Sequence, residues 1–452
     1  MDNIPTLILN GAVVLLTISY AYFWAVVIFA RKNKHINTEI MSRRKLRKAY
    51  TIARRAGNPR SFRIQITTKG NSMAVVRRGI DYVEQAYKAY PLLRTLVTVE
   101  VVTEELDDQW ELGKFYPWVE TFVLPEHYQT PNKTGLKARA LHYMVELHRR
   151  NPRNGYVVHY DEESVYTPDN LARLCATLMR TPIGISEGTI SYGLDWEMAN
   201  PICRTLESNR PFGCHECYLM MTHPVPLHLH GSNLVIQETI ENEIGWDIGK
   251  YKNNPLIAED LVFGLAVYLK YGKSVFGWHG TEMVEQPPFT LKAAYKQRER
   301  WCMGALQGVA HVKDLPGYNT LSKLDRFKIQ VIIRIRVWTY ALGAPVSTIS
   351  LLVWSGAAMV DAIDILVGIP LHLTLTLWAI PGFVMWVAAN QIGLAQNLAS
   401  TKLSKLTKLR EHLIVLAITP IAGLFDTAGP PSRSRRPSAT SRARPCGSRR
   451  TA

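Results

Sequence analysis

The fold class depends on the stretch Gly155-Tyr-Val-Val-His-Tyr-Asp161-Glu162-Glu163, where a short, β-rich apolar run ends abruptly in three acids. In an open α/β sheet, ligands bind beyond the carboxyl ends of the strands. Asp161 and Glu163 lie two residues apart on a chain that leaves a strand, so both carboxylates can point into one site. Two converging carboxylates are typical ligands of a hard divalent cation such as Mg²⁺ or Mn²⁺. The alternative interpretation is an acidic turn on a solvated surface, because short acidic motifs often occur without a ligand.

Segments typical of strands alternate with segments typical of helices on both sides of this stretch. Strands are predicted at 62–68, 93–102 and 156–160, and helices at 73–89 and 138–149. Such alternation favours βαβ units and therefore a parallel sheet. The sequence thus predicts an α/β fold for about residues 60–315.

Charge and hydropathy together indicate a membrane protein. The 452 residues include 53 Lys and Arg against 37 Asp and Glu, a formal charge of +16 that suits nucleic acid or an anionic membrane face. Three apolar segments, 4–30, 337–360 and 365–389, are long enough to cross a bilayer. Basic residues crowd 31–55, 334–336 and 402–410 and should face the cytoplasm. Aromatic residues do not interleave with these basic runs, so no nucleic-acid partner is predicted.

The chain divides into five predicted regions. They are an N-terminal transmembrane anchor (1–31), a basic cytoplasmic linker (32–59), a catalytic domain (60–315), transmembrane and interfacial helices (316–427) and an Arg/Ser/Pro-rich tail (428–452). Residues 402–410 are typical of a helix on the membrane surface. Residues 413–425 are apolar but short, so a fourth span stays open. The composition of the tail predicts disorder.

Two further motifs lie downstream. Asp260 precedes an apolar helical pattern, and a carboxylate at a helix N-terminus is stabilised there; the alternative is a simple helix cap. Gln297, Arg300 and Trp301 share one face of a predicted helix, for which the alternative is an interfacial helix with a Trp anchor. A turn at 231–233 is a weaker candidate for lining the acceptor side of a site.

An acidic strand end, then Glu-Asp, then the Gln-x-x-Arg-Trp motif, then membrane spans resembles the family-2 inverting glycosyltransferases, which include the cellulose, chitin and hyaluronan synthases. Within this family, the sequence most resembles the egghead-type β-1,4-mannosyltransferases. The segments that carry the resemblance are Ile66-Thr-Thr-Lys-Gly70, Glu100-Val-Val-Thr-Glu104, Lys133-Thr-Gly-Leu-Lys-Ala-Arg-Ala-Leu141, Val157-Val-His-Tyr-Asp-Glu-Glu163, Ile257-Ala-Glu-Asp260, Gly280-Thr-Glu-Met283, Pro288-Phe-Thr-Leu291 and Gln297-Arg-Glu-Arg-Trp301.

The resemblance implies a Rossmann-like nucleotide-sugar-binding (GT-A type) domain with transmembrane helices, and it implies a role for each matching residue. Asp260 matches the catalytic base, and Asp161 and Glu163 match the metal-binding acids for Mg²⁺ or Mn²⁺. Positions that hold the nucleotide and diphosphate are matched by Thr67, Thr68, Glu104, Lys137 and Arg139. The acceptor and diphosphate end is matched by Gln297, Arg300 and Trp301.

One stretch departs from the family pattern. Cysteines and histidines crowd a segment that we expect to be rich in loops: Cys203, Cys214, His215, Cys217, His223, His228 and His230. A single Cys-x-x-Cys with nearby histidines could hold Zn²⁺. The alternative is a polar acceptor-side loop with reduced cysteines, as expected in cytosol.

The predicted function is therefore transfer of a hexose, with mannose from GDP-mannose preferred, to a lipid-linked or glycan acceptor. The enzyme would be a multi-pass integral membrane protein with a cytoplasmic catalytic domain. One alternative is a processive β-polysaccharide synthase that uses a UDP-sugar. Another is a non-catalytic membrane scaffold, although Asp161, Glu163, Asp260 and Arg300 are all present.

The predicted orientation can be tested by cysteine labelling in intact cells. A reagent that cannot cross membranes should miss an Asn71→Cys probe and modify an Ala362→Cys probe, because the basic flanks place position 71 in the cytoplasm. Site-resolved mass spectrometry separates each probe from the native cysteines. The opposite labelling pattern would overturn the orientation.

Overall fold

The computed structural model describes residues 35–70, 72–338, 373–422 and 425, with the backbone alone at 373–383. The strands are β1 (Ser61–Thr67), β2 (Val97–Thr103), β3 (Glu120–Val123), β4 (Gly155–Tyr160), β5 (Ile185–Glu187), β6 (Ile190–Ser191), β7 (Leu234–Gln237), β8 (Lys250–Tyr251), β9 (Asn254–Pro255), β10 (Phe276–Trp278) and β11 (Met283–Val284). The α-helices are α1 (Arg43–Ala56), α2 (Met73–Ala89), α3 (Leu93–Leu96), α4 (Leu106–Phe115), α5 (Leu136–Arg150), α6 (Pro168–Arg180), α7 (Pro201–Ser208), α8 (Arg210–Thr222), α9 (Glu238–Ile244), α10 (Glu259–Tyr271), α11 (Leu291–His311), α12 (Lys323–Phe327), α13 (Leu373–Ala399) and α14 (Lys405–Ala422).

The central sheet has seven strands in the order β10-β5-β7-β4-β1-β2-β3. Strands β1 to β4 pair in parallel, as do β5 and β10, whereas β7 is antiparallel to both of its neighbours. The predicted parallel sheet is therefore confirmed for its centre, and the whole sheet is mixed. Strand β7 is antiparallel because residues 223–233 bring the chain to the edge of the sheet where the parallel strands end. A strand that begins at this edge must run in the opposite direction.

Helices cover both faces of the sheet, which explains why the central strands β1, β2 and β4 are almost entirely buried. Every residue of β4 is buried, as expected for a parallel strand with packing on both sides. One face packs against α1, α2 and α6, where Ile80 and Leu174 are fully buried. The other face packs against α5 and α10 through Leu141 and Phe263.

The predicted elements agree with the observed ones except at the second strand. The helix predicted at 73–89 is α2, and the strands predicted at 62–68 and 156–160 are β1 and β4 within one residue. The strand predicted at 93–102 begins only at Val97, because its first four residues form α3. Pro91 starts a turn there, in which the amide of Leu93 donates to the carbonyl of Tyr90 at 2.8 Å.

A buried ionic network joins the sheet to α5 and α9. Arg63 on β1 pairs with Glu100 on β2 at 2.7 Å and with Glu238 on α9 at 2.9 Å. His148 on α5 lies 2.7 Å from the other oxygen of Glu100. Burial opposes ionisation of Glu100, but His148 and Arg63 outweigh it, so the pKa of this carboxyl is lowered. All four side chains are buried.

The C-terminal helices α13 and α14 pack on α7 and α8. Asn397 on α13 accepts a hydrogen bond from the amide of Tyr192 at 2.7 Å and donates to the carbonyl of Glu207 at 3.1 Å. Glu411 on α14 is buried between Trp196 and Arg204. Helix α14, from Lys405 to Ala422, contains most of the segment predicted to lie on the membrane surface (402–410) and most of the apolar segment that follows it (413–425).

Among the residues that the structure describes, no helix is both long enough and apolar enough to cross a membrane. The predicted span at 4–30 lies outside those residues, and the span at 337–360 does so from position 339 onward. Of the third span, residues 365–372 lie outside and 373–389 belong to α13. The tail from 428 also lies outside.

The ionic network predicts a large loss of stability when its central cation is removed. Arg63→Met leaves Glu100 and Glu238 without their shared guanidinium, which should lower the free energy of unfolding by about 3–5 kcal/mol. Arg55→Met, at an exposed position of α1, should change it by less than about 0.5 kcal/mol. Urea unfolding of the purified full chain, followed by Trp fluorescence, gives both values. Equal losses in the two variants would contradict the role of the network.

Candidate active site

Four chain segments meet at one edge of the sheet. Ile66, near the end of β1, lies beside Val101 of β2 and Tyr160 of β4. Because these strands are parallel, their carboxyl ends lie together. Strand β7 starts at this edge, since Leu234 pairs with His159. The acids after β4 and the turn at 231–233 before β7 therefore lie at the same edge of the sheet.

Asp161 lies among several charged side chains at this edge. The ammonium of Lys137, on the first turn of α5, donates a hydrogen bond to Oδ1 of Asp161. Burial raises the pKa of Asp161, but Lys137 and then Arg300 lower it by more, so the pKa of Asp161 is lowered. Asp161 is therefore ionised at neutral pH. The side chain of Asp161 is 38% exposed, and residues 162–163 form a turn directly after it.

Two more carboxylates lie close to Asp161. Burial, followed by Asp161 and Glu285, raises the pKa of Glu163 to about 8. Glu285 is buried just after β11, accepts a hydrogen bond from Ser164 at 3.0 Å, and has its pKa raised to about 7, chiefly by burial. Sequence analysis did not select Glu285, because it falls between two matching segments and only the pairing of β11 with residues near 165 and 190 brings it to the site.

The acids at this edge fit a divalent cation. Asp161 and Glu163 offer hard oxygen ligands. Asp161, Glu163 and Glu285 repel one another, and a bound cation would offset that repulsion. Across the described ranges, the only three His, Cys, Asp or Glu side chains with ligand atoms within 4.8 Å of one another lie elsewhere. Mg²⁺, however, is commonly held by one or two carboxylates plus substrate phosphates. Asp161 and Glu163 suit that mode of binding.

Asp260 faces the same space from α10. Its Oδ1 accepts a hydrogen bond from the amide of Leu261 at 2.7 Å, and the N-cap position is held by Ala258. Burial, followed by Glu259, raises the pKa of Asp260 well above its ordinary value. A Cβ atom placed on Gly231 would lie 3.5 Å from Oδ2 of Asp260 and 3.4 Å from Nζ of Lys137. The carboxylate and the ammonium thus border one small space next to Gly231.

The residues expected to hold the nucleotide line the β1–β2 side of the site. The hydroxyl of Thr68 donates to Glu162 at 2.8 Å. Arg139 on α5 donates to Glu104 at 3.0 Å. Oγ1 of Thr67 is buried and makes no hydrogen bond to any described residue. The structure therefore gathers these side chains around the ends of β1 and β2, next to Asp161.

The Gln-x-x-Arg-Trp motif lies on α11. Arg300 is exposed, and its charge acts on both Asp161 and Glu259. Oε1 of Gln297 is buried without a hydrogen-bond partner among the described residues. The guanidinium of Arg210 lies over the ring of Trp301, 4.2 Å from its centroid. Arg210, at the start of α8, was not selected from the sequence because nothing local links it to Trp301.

The Cys/His-rich stretch is not the loop that the sequence suggested. Cys203 lies in α7, and Cys214 and Cys217 lie in α8, because Pro201 and Pro211 occupy the first turns of these helices. Only residues 223–233 form a connection without regular structure. The structure brings Cys217, His228 and His230 together and leaves Cys203 and His223 apart from them.

The fold and these motifs define a class of protein. Residues 156–389, more than half of the 452 residues, match the protein family described as "Glycosyl transferase family group 2". The chain belongs to this family. The prediction of a family-2 glycosyltransferase is therefore confirmed.

Individual relatives point the same way. The chain is 28% identical over 247 residues to the β-1,4-mannosyltransferase bre-3 of Caenorhabditis elegans, covering 54% of this chain and 51% of that protein. It is 26% identical over 255 residues to the β-1,4-mannosyltransferase egh of Drosophila melanogaster, covering 55% and 51%. The chain thus spans about half the length of the curated relatives it matches. The predicted resemblance to egghead-type proteins is confirmed at this level.

Solved structures are similar over larger shares of the chain but at low identity. A crystal structure of S. aureus TarS 1-349 in complex with UDP-GlcNAc has a TM-score of 0.38 and 12% identity, covering 80% of this chain and 90% of that one. Mannosyl-3-phosphoglycerate synthase from Rubrobacter xylanophilus has a TM-score of 0.38 and 13% identity, covering 62% and 82%.

The space beside Gly231 should be intolerant of a branched side chain. Gly231→Val would place methyl groups between Lys137 and Asp260, so we expect kcat/KM for glycosyl transfer to fall about 100-fold, the scale of a 1 Å misplacement. Gly113→Val on α4 is the control, because a Cβ there meets nothing within 4 Å. Both variants should keep the wild-type melting temperature. Unchanged kcat/KM in Gly231→Val would show that the substrate does not use this space.

Proposed function

We propose that the chain is a membrane-bound inverting glycosyltransferase that transfers a hexose, mannose from GDP-mannose, to a lipid-linked or glycan acceptor and forms a β-glycosidic bond. The observation that supports this most is the meeting of Asp260, Lys137 and Asp161 around the space beside Gly231. A base and a diphosphate-binding group are thereby set next to each other, as a direct displacement requires.

Asp260 is the proposed catalytic base. Its raised pKa makes its carboxylate a stronger base than an ordinary aspartate, which favours removal of a proton from an acceptor hydroxyl. The hydroxyl oxygen then forms a bond to the anomeric carbon as the bond to the diphosphate breaks, and the diphosphate leaves with that electron pair. Attack on the face opposite the leaving group inverts the configuration, so an α-linked donor gives a β-linked product.

The diphosphate end of the donor lies, in this proposal, at Asp161 and Glu163. These two residues would hold Mg²⁺ or Mn²⁺, and a cation bound there would supply charge neutralisation for the leaving diphosphate. Lys137, Arg139 and Arg300 add positive charge around it, an arrangement that stabilises developing negative charge. Asp161 pairs with Lys137 in this structure, so this ammonium is already positioned.

The remaining residues divide between donor and acceptor. Thr67, Thr68 and Glu104, at the ends of β1 and β2, are proposed to contact the nucleotide. Gln297 and Trp301 on α11 are proposed to contact the acceptor, and the guanidinium of Arg210 lies over the indole ring of Trp301. Mannose is the proposed sugar because the two relatives carry the name β-1,4-mannosyltransferase.

The location of the enzyme belongs to the same proposal. The apolar segments and their basic flanks support a multi-pass membrane protein whose catalytic domain lies in the cytoplasm. A cytoplasmic site suits a nucleotide-sugar donor and an acceptor whose lipid lies in the adjacent leaflet.

The deciding experiment separates donor binding from chemistry. Purified full-length protein is given a panel of nucleotide sugars with Mg²⁺ or Mn²⁺ and a membrane extract as acceptor, and we expect transfer from GDP-mannose. Asp260→Asn should lower the rate about 100-fold or more while the affinity for GDP-mannose, measured by calorimetry, changes little. Asp161→Asn should instead weaken metal-dependent binding of the nucleotide.

A matched control is Asp314→Asn, because that carboxylate is 76% exposed and lies outside the site. It should transfer at the wild-type rate. Full activity in Asp260→Asn would contradict the assignment of the base. Polymer formation from a UDP-sugar would favour a processive synthase instead, and no turnover of any nucleotide sugar by a folded protein would favour a scaffold.

A further inference from the structure

A second cluster of ligand-type side chains lies outside the diphosphate end of the site. Cys217 on α8 and the histidines at 228 and 230 place one ligand atom each within 4.8 Å of one another. Nε2 of His230 lies 3.3 Å from Sγ of Cys217. With Zn–S near 2.3 Å and Zn–N near 2.1 Å, a tetrahedral site has an S···N edge of about 3.6 Å. The observed separation is already close to that value.

The nitrogen of His228 that could complete the site is buried and lacks a partner. Nε2 of His228 makes no hydrogen bond to any described residue. A buried polar nitrogen without a partner is costly unless a ligand satisfies it.

The surroundings of the cluster match those of metal sites. A metal-bound histidine usually turns its other ring nitrogen to a carboxylate. Nδ1 of His230 lies 3.4 Å from Oε2 of Glu187, which is buried at the end of β5. Cys214 lies one helical turn before Cys217, and its Sγ accepts a hydrogen bond from the amide of Ile190 at 3.3 Å. The Glu187 carboxyl group is thus placed beside the ring nitrogen of His230 that would not bind the metal.

From this geometry we propose a Zn²⁺-type transition-metal site in which Sγ of Cys217, Nε2 of His228 and Nε2 of His230 are the protein ligands. Binding releases the Cys217 thiol proton to solvent and leaves one tetrahedral position for water. Three mixed nitrogen and sulfur ligands favour zinc or cobalt over Mg²⁺, which prefers oxygen. The site is distinct from Asp161 and Glu163, which offer oxygen alone.

Loading this site requires one local rearrangement. Nη1 of Arg336 donates to Nδ1 of His228 at 2.5 Å. When Nε2 binds a cation, Nδ1 carries the proton and can no longer accept this bond. Arg336 would then leave the ring and keep Glu216, which accepts from its Nε at 2.6 Å.

The consequence for the enzyme, which rests on the proposed function, concerns Gly231. His230 precedes Gly231 directly, and Gly231 borders the space between Asp260 and Lys137. A cation that joins His228 and His230 to α8 would therefore fix the chain where the acceptor must enter. The metal acts here as a positioning element and takes no part in the proton transfer.

The test uses the purified full-length chain in detergent, freed of metal and then titrated with Co²⁺ or Zn²⁺ alone. We expect one equivalent of metal per chain by mass spectrometry, and with Co²⁺ the charge-transfer absorption that only a thiolate ligand gives. Cys217→Ser should abolish that absorption. His228→Asn should weaken binding by more than the about 10–100-fold that loss of an outer-shell partner costs. The melting temperatures of the metal-free variants show whether they remain folded.

Matched controls are Cys203→Ser and His223→Asn, which lie in the same stretch but outside the cluster, and both should bind like the wild type. Asp161→Asn should also keep the thiolate absorption, so failure of the proposed catalytic site would not mimic failure of this one. Absence of the absorption from folded wild-type protein would overturn the proposal. So would binding that survives unchanged in both Cys217→Ser and His228→Asn.

Discussion

The parallel alignment of β1, β2 and β4 is the constraint on which the site depends. It sets three strand ends side by side, so Thr68, Glu104 and Asp161 come from distant parts of the sequence to one edge. The reversal of β7 adds the 231–233 turn to the same edge. Neither feature needs a catalytic residue, because both follow from burial of apolar strands between two layers of helices. The scaffold thus creates the site before any functional side chain is considered.

Electrostatics then decide which acids can be charged. Asp161 stays ionised because Lys137 touches it and Arg300 is near. Glu163 and Glu285 lack comparable partners among the described residues at this edge, and burial raises their pKa values. Burial, followed by the charge of Glu259, raises the pKa of Asp260 well above its ordinary value. The fold therefore holds one aspartate with a lowered pKa and one with a raised pKa close to the same small space beside Gly231, and such perturbed pKa values cluster at functional sites.

The sequence predicts the secondary structure that follows from local patterns of apolar residues. It misses the residues that reach the site only through tertiary contacts between distant segments. Alternation of apolar strands and amphipathic helices predicts β1, β4 and α2, since burial of one side of each element leaves a periodic trace. The turn at Pro91 lies next to an apolar segment, and this segment was therefore predicted to be a strand from its first residue. Glu285 and Arg210 reach the site only through pairing and packing across 100 residues or so, which leaves no local signal. The cysteines of α8 were expected in a loop because the proline and histidines around them have low helix propensity.

The contacts of α13 and α14 carry a mechanical consequence. Asn397 of α13 holds the carbonyl of Glu207, and the carboxylate of Glu207 pairs with Arg298 on α11 at 2.9 Å. Helix α11 carries Gln297 and Trp301 on its adjoining turns. A tilt of α13 would therefore reach α11, and with it the Gln-x-x-Arg-Trp motif, through two direct contacts of Glu207 on α7. The C-terminal helices and one wall of the candidate site are thus mechanically coupled through a single buried residue.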